Sequence, residues 1–313
     1  QSGAARCHSG QCRYKLTAAA VPFTRLTRIT TQRTPQNTRQ RFMQHKQLTA
    51  IVFDWAGTTI DHGSRAPAAV FLEIFRRRGV EITTAQAREP MGRAKRDHIA
   101  TVGRMPEVDR RWREQHAGQE MSEADIDAMY ADFLPLQKET LSQHSQVIDG
   151  VPEIVAWCRS QGLKIGSTTG YTRQLLDIVA RAADEQGYAP DCALGAEDAP
   201  HGRPAPYLLY ETAQRLQVYP LWTMVKVDDT PVGIEAGRNA GCWTIGVTRT
   251  GNGVGLSVSE WQALDQNEQQ QRLSVAEQSL RAAGAHAIVE SVADIRPVIE
   301  QFASRLASGQ LPI

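Results

Sequence analysis

Asp54 stands at the end of a short apolar run in the stretch AIVFDWAGTTID. A second strand-like run ends in Thr169 and Gly170, and a third ends in Asp228 and Asp229. If these runs are neighbouring parallel strands, the residues that follow them meet at one edge of the sheet. Clustered carboxylates repel one another unless a cation lies between them, and hard oxygen ligands suit Mg²⁺. The pattern therefore predicts a magnesium site.

The other residues expected at this edge suit an anion with several oxygens. Thr169 offers a hydroxyl, Gly170 an open backbone turn, and Arg203, in the loop DAPHGRPAP, a guanidinium. Taken singly, Asp54 is an ordinary helix cap, Thr169 a turn residue and Arg203 a surface charge. Taken together in chain order, they indicate phosphoryl transfer assisted by magnesium.

Asp54, Gly57, Thr58 and Thr59 resemble the first motif of the haloacid dehalogenase superfamily, Asp-x-Asp-Gly-Thr. The resemblance implies that Asp54 attacks phosphorus and forms an aspartyl-phosphate. In the superfamily the second Asp protonates the leaving oxygen, but Ala56 stands there in this chain. A methyl group gives no proton, so the ordinary phosphatase mechanism lacks its acid.

The stretch REPMGRAKRDHIATVG, residues 88–103, supplies a different catalytic group. Pro90, Met91 and Gly92 interrupt the chain, and Lys95 and His98 then lie on one face of a short helix. A lysine buried under a closing cap can have a lowered pKa and attack carbonyl carbons. Taken singly, Lys95 is an ordinary solvated lysine and His98 a structural histidine.

The chain from residue 47 to 310 resembles the phosphonoacetaldehyde hydrolases (phosphonatases) of the haloacid dehalogenase superfamily. The stretches that carry the resemblance are FDWAGTTID, EPMGRAKRDH, IGSTTGYTR, GRPAP and EAGRNAGCWTIGV. The resemblance implies that Lys95 forms a Schiff base with the aldehyde, assisted by His98 and Met91, while Asp54 attacks phosphorus. It further implies that Mg²⁺ is held by Asp54, the Ala56 carbonyl and Asp229, and Asp228 is a further candidate for the metal. The residues expected to bind the phosphoryl oxygens are Thr169, Gly170 and Arg203, with Tyr171 beside them as another candidate.

This chemistry gives a reason for the alanine. Cleavage of a phosphorus–carbon bond leaves a carbanion, which protonation of an oxygen does not rescue. A protonated imine beside that carbon accepts the electron pair, so an acid at position 56 is unnecessary. The expected products are acetaldehyde and phosphate, as in the breakdown of 2-aminoethylphosphonate.

Two positions depart from the superfamily pattern. The fourth motif often has Gly-Asp followed by an Asp four residues on, whereas this chain has Asp228, Asp229 and Gly233. Asp228 could replace the missing carboxylate, and its role is less defined than that of Asp229. The third motif is usually a lysine, and Arg203 stands there with a permanent charge suited to phosphoryl oxygens.

The order of predicted elements indicates an α/β fold with a Rossmann-like parallel sheet and an inserted helical cap. Strand and helix patterns alternate from about residue 148, whereas 63–147 shows helical stripes and no convincing strand. We predict a core domain over 46–62 and 148–313, a cap domain over 63–147, and a disordered extension over 1–45. In this scheme TGNGVG, residues 250–255, is a flexible connection.

Composition excludes some classes of protein. The first 42 residues carry eight Lys and Arg and no acid, while the rest carries 27 Lys and Arg against 34 Asp and Glu, a net charge of −7. A body of that charge is not a nucleic-acid binder by composition. The basic segment suits a transit peptide, a nucleic-acid arm or a start site placed before Met43. The five irregularly spaced cysteines indicate free thiols in a reducing cytoplasm, and Cys7 and Cys12 beside His8 only hint at a metal.

The resemblance also implies a homodimer that forms through the cap, where the apolar Phe71 and Phe75 could serve either that contact or the core. No membrane span is expected. Two rival functions stay open: a phosphomonoester phosphatase or sugar phosphomutase, which Ala56 opposes, and an inactive scaffold, which the intact Asp54, Arg203 and Asp229 oppose.

Overall fold

The computed structural model describes residues 46–141 and 144–312, and the basic segment predicted at 1–45 lies outside them. Six parallel strands form one sheet in the order β3-β2-β1-β4-β5-β6. Their bounds are β1 Ala50–Phe53, β2 Lys164–Thr168, β3 Cys192–Leu194, β4 Met224–Asp228, β5 Trp243–Val247 and β6 Ala287–Val289. The predicted parallel α/β sheet is confirmed, and β1 lies at its centre.

Five helices lie between β1 and β2 ahead of a sixth that leads into the sheet. They are α1 Arg65–Arg76, α2 Thr84–Arg88, α3 Lys95–Gly103, α4 Pro106–Gln115 and α5 Glu123–Leu141, followed by α6 Val151–Ser160. The later helices are α7 Arg173–Asp184, α8 Tyr207–Arg215, α9 Pro231–Asn239, α10 Val258–Ala263, α11 Gln266–Ala282 and α12 Arg296–Ala307. In the described part of the chain, none is long and apolar enough to span a membrane.

Side chains of β1 alternate between the two faces of the sheet, and each face is covered by helices. Ile51 and Phe53 pack in a cluster with α6, α7 and α12. Ala50 and Val52 pack in a second cluster with α8 and α9. Trp55 and Trp243 are also buried in the first cluster. Both layers hold the carboxyl end of β1 in a fixed position.

Helices α1 to α5 enclose a hydrophobic cluster of their own. Phe71 and Phe75, on the predicted stripe of α1, are fully buried in it, so core packing explains them without a dimer contact. α5 carries an apolar stripe of its own, made of Ile126, Met129, Tyr130, Phe133 and Leu134, of which the first, second and fourth are buried. We propose that these helices constitute the cap domain predicted at 63–147.

Two helices near the carboxyl end were not predicted. α10 and α11 follow the TGNGVG loop and bury few apolar side chains, among them Trp261, Ala276 and Leu280. α11 carries a mostly polar surface, so the sequence shows little apolar periodicity there. Side-chain caps mark both starts: Ser257 accepts from Glu260 N, and Asp265 accepts from Glu268 N.

Candidate active site

The predicted phosphoryl site lies where β1 is flanked by β2 and β4. Asp54 follows β1, and its backbone N–H donates to the Val227 carbonyl of β4 at 2.9 Å. Thr169 follows β2, while Asp228 ends β4 and Asp229 comes next. Because the carboxyl ends of these strands coincide, the structure brings all four residues to one crevice, as expected at a topological switch point.

Three buried carboxylates gather in this crevice. Oxygen atoms of Asp54, Asp228 and Asp229 all lie within 4.8 Å of one another. Burial and the charges of the other two carboxylates raise the pKa of Asp229 well above its ordinary value. A divalent cation would remove that repulsion, and the ligand set of hard oxygens fits Mg²⁺.

Asp228 is already engaged by cations of the protein. Its Oδ2 lies 2.9 Å from Lys226 Nζ and 3.2 Å from Arg203 Nη1. Its Oδ1 accepts from the backbone N–H of Thr230 at 3.0 Å and from the Thr230 hydroxyl at 2.7 Å. Burial opposes ionisation, but the charges of Arg203 and Lys226 lower the pKa of Asp228. Asp228 therefore has two cationic partners within the protein as well as a place in the carboxylate cluster.

The contacts of Asp228 also explain the departure at Gly233. A Cβ atom at position 233 would lie 2.0–2.1 Å from the carboxyl carbon and oxygens of Asp228. A side chain at 233 and a carboxylate at 228 therefore compete for one space. This exclusion gives a physical reason why Asp228 accompanies glycine, and not Asp, at position 233.

Lys226 is a site residue that sequence analysis missed. It lies on β4, is fully buried, and donates from Nζ to the Thr168 hydroxyl at 3.1 Å. The available signal was a lone lysine within the apolar strand WTMVKVDD. A buried ammonium needs a partner, and Asp228 supplies it.

Arg203 reaches the site from the loop before α8. Its Nη2 donates to Asp54 Oδ1 at 2.6 Å and to the Thr168 carbonyl at 2.5 Å. The side chain is 3% exposed, so the predicted solvent-facing alternative for Arg203 does not hold. A charged group fixed beside Asp54 can bind the oxygens of a phosphoryl group that Asp54 attacks.

The hydroxyls of the first motif hold the carboxylates in place. Thr58 Oγ1 donates to Asp229 Oδ1 at 3.2 Å, and Thr59 Oγ1 donates to the Asp54 carbonyl at 2.9 Å. The backbone N–H of Asn252 donates to Asp229 Oδ2 at 2.7 Å. TGNGVG is thus a connection, as predicted, but one that contacts a candidate metal ligand.

Lys95 projects from α3 into a cage of aromatic rings. Its Nζ lies 5.0 Å from the ring centre of Tyr171, 5.7 Å from that of Phe71 and 5.9 Å from that of Phe133. The residue is 4% exposed, so it is not the solvated lysine of the ordinary alternative. Burial lowers the pKa of Lys95 to about 7, against an opposing effect of the Asp54 charge.

His98 lies one turn along α3 from Lys95. Its Nε2 is 2.9 Å from the Ala87 carbonyl, an acceptor, so the Nε2 carries the proton. Burial and the Lys95 charge lower the pKa of His98 well below its ordinary value, and the ring is neutral. Its Nδ1 is buried without a hydrogen-bond partner among the described residues, and its ring stacks on Phe71. An unpaired acceptor therefore lies near the candidate nucleophile.

Two glycines let the cap helices approach the sheet edge. A Cβ atom at Gly92 would lie 2.5 Å from the Thr230 hydroxyl oxygen, and one at Gly170 would lie 2.5 Å from the Arg93 carbonyl oxygen. With backbones this close, one small cavity is lined by both parts of the site. Its lining includes Asp54, Ala56, Met91, Lys95, Thr169, Gly170, Tyr171 and Arg203.

The sheet topology and this site correspond to a known class of hydrolases. The model of the haloacid dehalogenase-like hydrolases matches residues 48–241. The chain is 43% identical over 267 residues to a phosphonoacetaldehyde hydrolase of Paraburkholderia phytofirmans, which covers 85% of this chain and 100% of the relative. It is 45% identical over 254 residues to one of Bacillus cytotoxicus, covering 81% of this chain and 96% of the relative.

A solved structure extends the similarity to the fold. The structure of a phosphonoacetaldehyde hydrolase-like protein from Oleispira antarctica has a TM-score of 0.83 and 43% sequence identity, covering 85% of this chain and 96% of that one. The chain therefore belongs to the haloacid dehalogenase-like hydrolases and, within them, to the phosphonoacetaldehyde hydrolase family.

Proposed function

We propose that this protein hydrolyses the phosphorus–carbon bond of phosphonoacetaldehyde, releasing acetaldehyde and phosphate. The observation that carries the proposal is the shared cavity of Lys95 and Asp54, one amine and one carboxylate from different parts of the fold. Ala56 lines the same cavity in the place where phosphatases carry their acid. The names of the relatives support the same substrate.

The first half of the reaction takes place at Lys95. The neutral amine attacks the aldehyde carbon, and loss of water leaves an imine. The unpaired Nδ1 of His98 is suited to accept the proton that the amine loses. Met91 and Tyr171 line the same pocket and exclude bulk water from the imine. The aromatic rings also hold the protonated imine through their π faces.

The second half takes place at Asp54. A carboxylate oxygen of Asp54 attacks phosphorus, the phosphorus–carbon bond breaks, and its electron pair passes into the protonated imine to give a neutral enamine. Arg203, Thr169 and the backbone at Gly170 bind the phosphoryl oxygens. Water then hydrolyses the aspartyl-phosphate, and protonation and hydrolysis of the enamine free acetaldehyde and Lys95.

The residues suited to hold Mg²⁺ are Asp54, the Ala56 carbonyl and Asp229. Bound there, the ion supplies positive charge that lessens the repulsion between the attacking carboxylate and the phosphonate. Asp228 would not bind the metal directly, because it already forms ion pairs with Arg203 and Lys226. The carboxylate cluster supports Asp54 and Asp229 as ligands, and the family resemblance implies the Ala56 carbonyl.

Direct assay of both products tests this function. The protein with Mg²⁺ and phosphonoacetaldehyde should release phosphate and acetaldehyde in equal amounts, measured by molybdate and by coupled alcohol dehydrogenase. p-Nitrophenyl phosphate and β-glucose 1-phosphate should be poor substrates, because Ala56 supplies no acid. Faster turnover of either phosphate ester would favour the phosphatase or phosphomutase alternative.

The depressed pKa of Lys95 predicts the pH dependence. Only the neutral amine attacks, so kcat/KM should rise with pH through about 7 and then level off. Below that value it should fall by about tenfold for each pH unit, because the protonated fraction dominates. A profile measured from pH 5.5 to 9 checks this, and a limb still rising at pH 9 would contradict an activated lysine.

We further propose a cytoplasmic homodimer that acts on a small molecule and binds neither nucleic acid nor membrane. The resemblance supports the dimer, and the acidic balance of residues 43–313 opposes nucleic-acid binding. The buried Phe71 and Phe75 are already used within one chain, so the dimer contact needs another surface.

A further inference from the structure

Arg88, the last residue of α2, contacts two separate segments of the chain through one guanidinium. Its Nη1 donates to the Gly63 carbonyl at 2.8 Å and to Asn252 Oδ1 at 3.0 Å. Its Nη2 donates to the Gly255 carbonyl at 3.1 Å. Gly63 belongs to the link between β1 and α1, whereas Asn252 and Gly255 belong to the loop after β5. One side chain therefore fastens a cap helix both to the link that leaves β1 and to the loop after β5.

Asn252 returns the contact. Its Nδ2 donates to the Arg88 carbonyl at 3.1 Å, so the two residues are joined in both directions. The backbone N–H of the same Asn252 donates to Asp229 Oδ2 at 2.7 Å. Asn252 therefore contacts both Arg88 on the cap helix α2 and Asp229, a candidate metal ligand.

The other end of this contact leads to the catalytic lysine. Ala87, directly before Arg88, gives its carbonyl to His98 Nε2. Residues 89–94 then carry Met91 and Gly92 to the sheet edge and end at Lys95. Anchoring position 88 therefore fixes the start of the segment that places Lys95 and His98 over Asp54.

The bonds of Arg88 differ from those of other arginines on the cap. Arg76 and Arg96 bond to neighbouring carboxylates within the cap, and Arg76 is exposed. Arg88 is half-buried, and in the described part of the chain its hydrogen bonds go to carbonyl and amide oxygens, without a carboxylate. A planar fork with several donors suits acceptors in fixed, separate directions. Such bonding has the character of a specific contact between domains.

The small size of the cavity at the active site explains why a contact between the cap and the sheet edge affects function. It holds about 20 Å³, which is room for about one water molecule. Substrate entry therefore requires the cap to move away from the sheet edge. When the cap closes again, the contacts between the cap and the sheet domain must re-form. The hydrogen bonds between Arg88 and Asn252 are among these contacts.

We propose that Arg88 is a positioning residue that, with Asn252, latches the cap in its closed arrangement over Asp54 and Asp229. The catalytic role of the closed arrangement depends on the function proposed above, whereas the latch itself does not. Loss of the latch lowers the fraction of closed protein before substrate binds. The apparent KM then rises by that factor, while kcat at saturating substrate changes little.

Modification of Lys95 in the substrate-free protein tests the latch independently of the substrate. Lys95 is buried in the closed protein, so acetic anhydride reaches it only after the cap opens. Arg88→Met should raise the rate of Lys95 acetylation, followed by peptide mass spectrometry, by roughly tenfold. Arg76→Met, which removes a cap arginine bonded only to Glu73, is the matched control and should leave the rate unchanged.

Asn252→Ala supplies a second variant and closes a double-mutant cycle. It removes both side-chain bonds to Arg88 but keeps the backbone N–H that Asp229 accepts. Asn252→Ala should open the cap as Arg88→Met does, and the double variant should add little to either. Arg88→Lys should restore less than half of the effect, because one ammonium does not reach all three acceptors.

The outcomes separate the latch from the reaction. Raised acetylation in both variants with a raised KM and retained kcat supports the latch. Acetylation at the wild-type rate in folded Arg88→Met overturns it, and if that variant fails to fold, the wild-type rate in Asn252→Ala overturns it. Raised acetylation in a protein that does not cleave phosphonoacetaldehyde would leave the latch standing and refute the proposed function instead.

Discussion

Replacing Lys95 by Arg should reduce phosphate release from phosphonoacetaldehyde by at least about a thousandfold, because the nucleophile that forms the imine is lost. Arginine keeps the length and the positive charge, but its guanidinium does not form an imine with an aldehyde. The aromatic cage of Tyr171, Phe71 and Phe133 can still hold a cation, so the fold should persist. Steady-state assay and thermal unfolding measure the two effects separately.

Borohydride trapping identifies the group responsible. The wild-type protein incubated with substrate and borohydride should yield one modified peptide, containing Lys95, whereas Lys95→Arg should yield none. Lys138→Arg, an exposed cap lysine on α5, is the matched control and should trap normally. Substantial turnover by Lys95→Arg would refute the imine mechanism, and trapping at Lys226 would assign the imine to the other buried amine near the site.

Replacing Asp54 by Asn should have an effect of similar size on phosphate release, again at least about a thousandfold, because an amide does not attack phosphorus as a carboxylate does. The imine half of the reaction depends on Lys95 and not on Asp54. Asp54→Asn should therefore still give the borohydride-trapped Lys95 peptide while releasing almost no phosphate. This separation of the two half-reactions is the sharpest expectation from the shared cavity.

Asp97→Asn supplies the control for this variant. Asp97 lies on α3 near Lys95 but is exposed, so its replacement should leave both trapping and phosphate release close to wild type. Loss of trapping together with phosphate release in a folded Asp54→Asn protein would mean that Asp54 also governs imine formation. Normal phosphate release by that variant would exclude Asp54 as the nucleophile.

The sequence carried enough information for the parallel sheet and its reactive edge. The alternation of short apolar runs with amphipathic stretches depends on local periodicity, which a sequence displays directly. The convergence of Asp54, Thr169 and Asp229 then follows from a rule of parallel sheets that needs no coordinates. Cysteines 158, 192 and 242 are free and buried, as expected of reduced thiols. Cys7 and Cys12 lie outside the described residues.

Two features were not predicted because the burial of their side chains differs from what their residue types suggest. Lys226 was overlooked because a single charge in an apolar strand has no periodicity of its own. α11 was overlooked because only a few of its side chains are buried. In both cases the signal depends on what surrounds the residue, and the sequence does not display those surroundings.

What the sequence by itself determined was the set of candidate reacting groups: a carboxylate at 54, an amine at 95 and no acid at 56. What only the tertiary structure decided was how distant residues share space. Asp228 occupies the volume that a side chain at 233 would need, and Arg88 meets Asn252 across 164 positions of the chain. Periodicity reports the environment along a single element, whereas such contacts depend on how separate elements pack against one another.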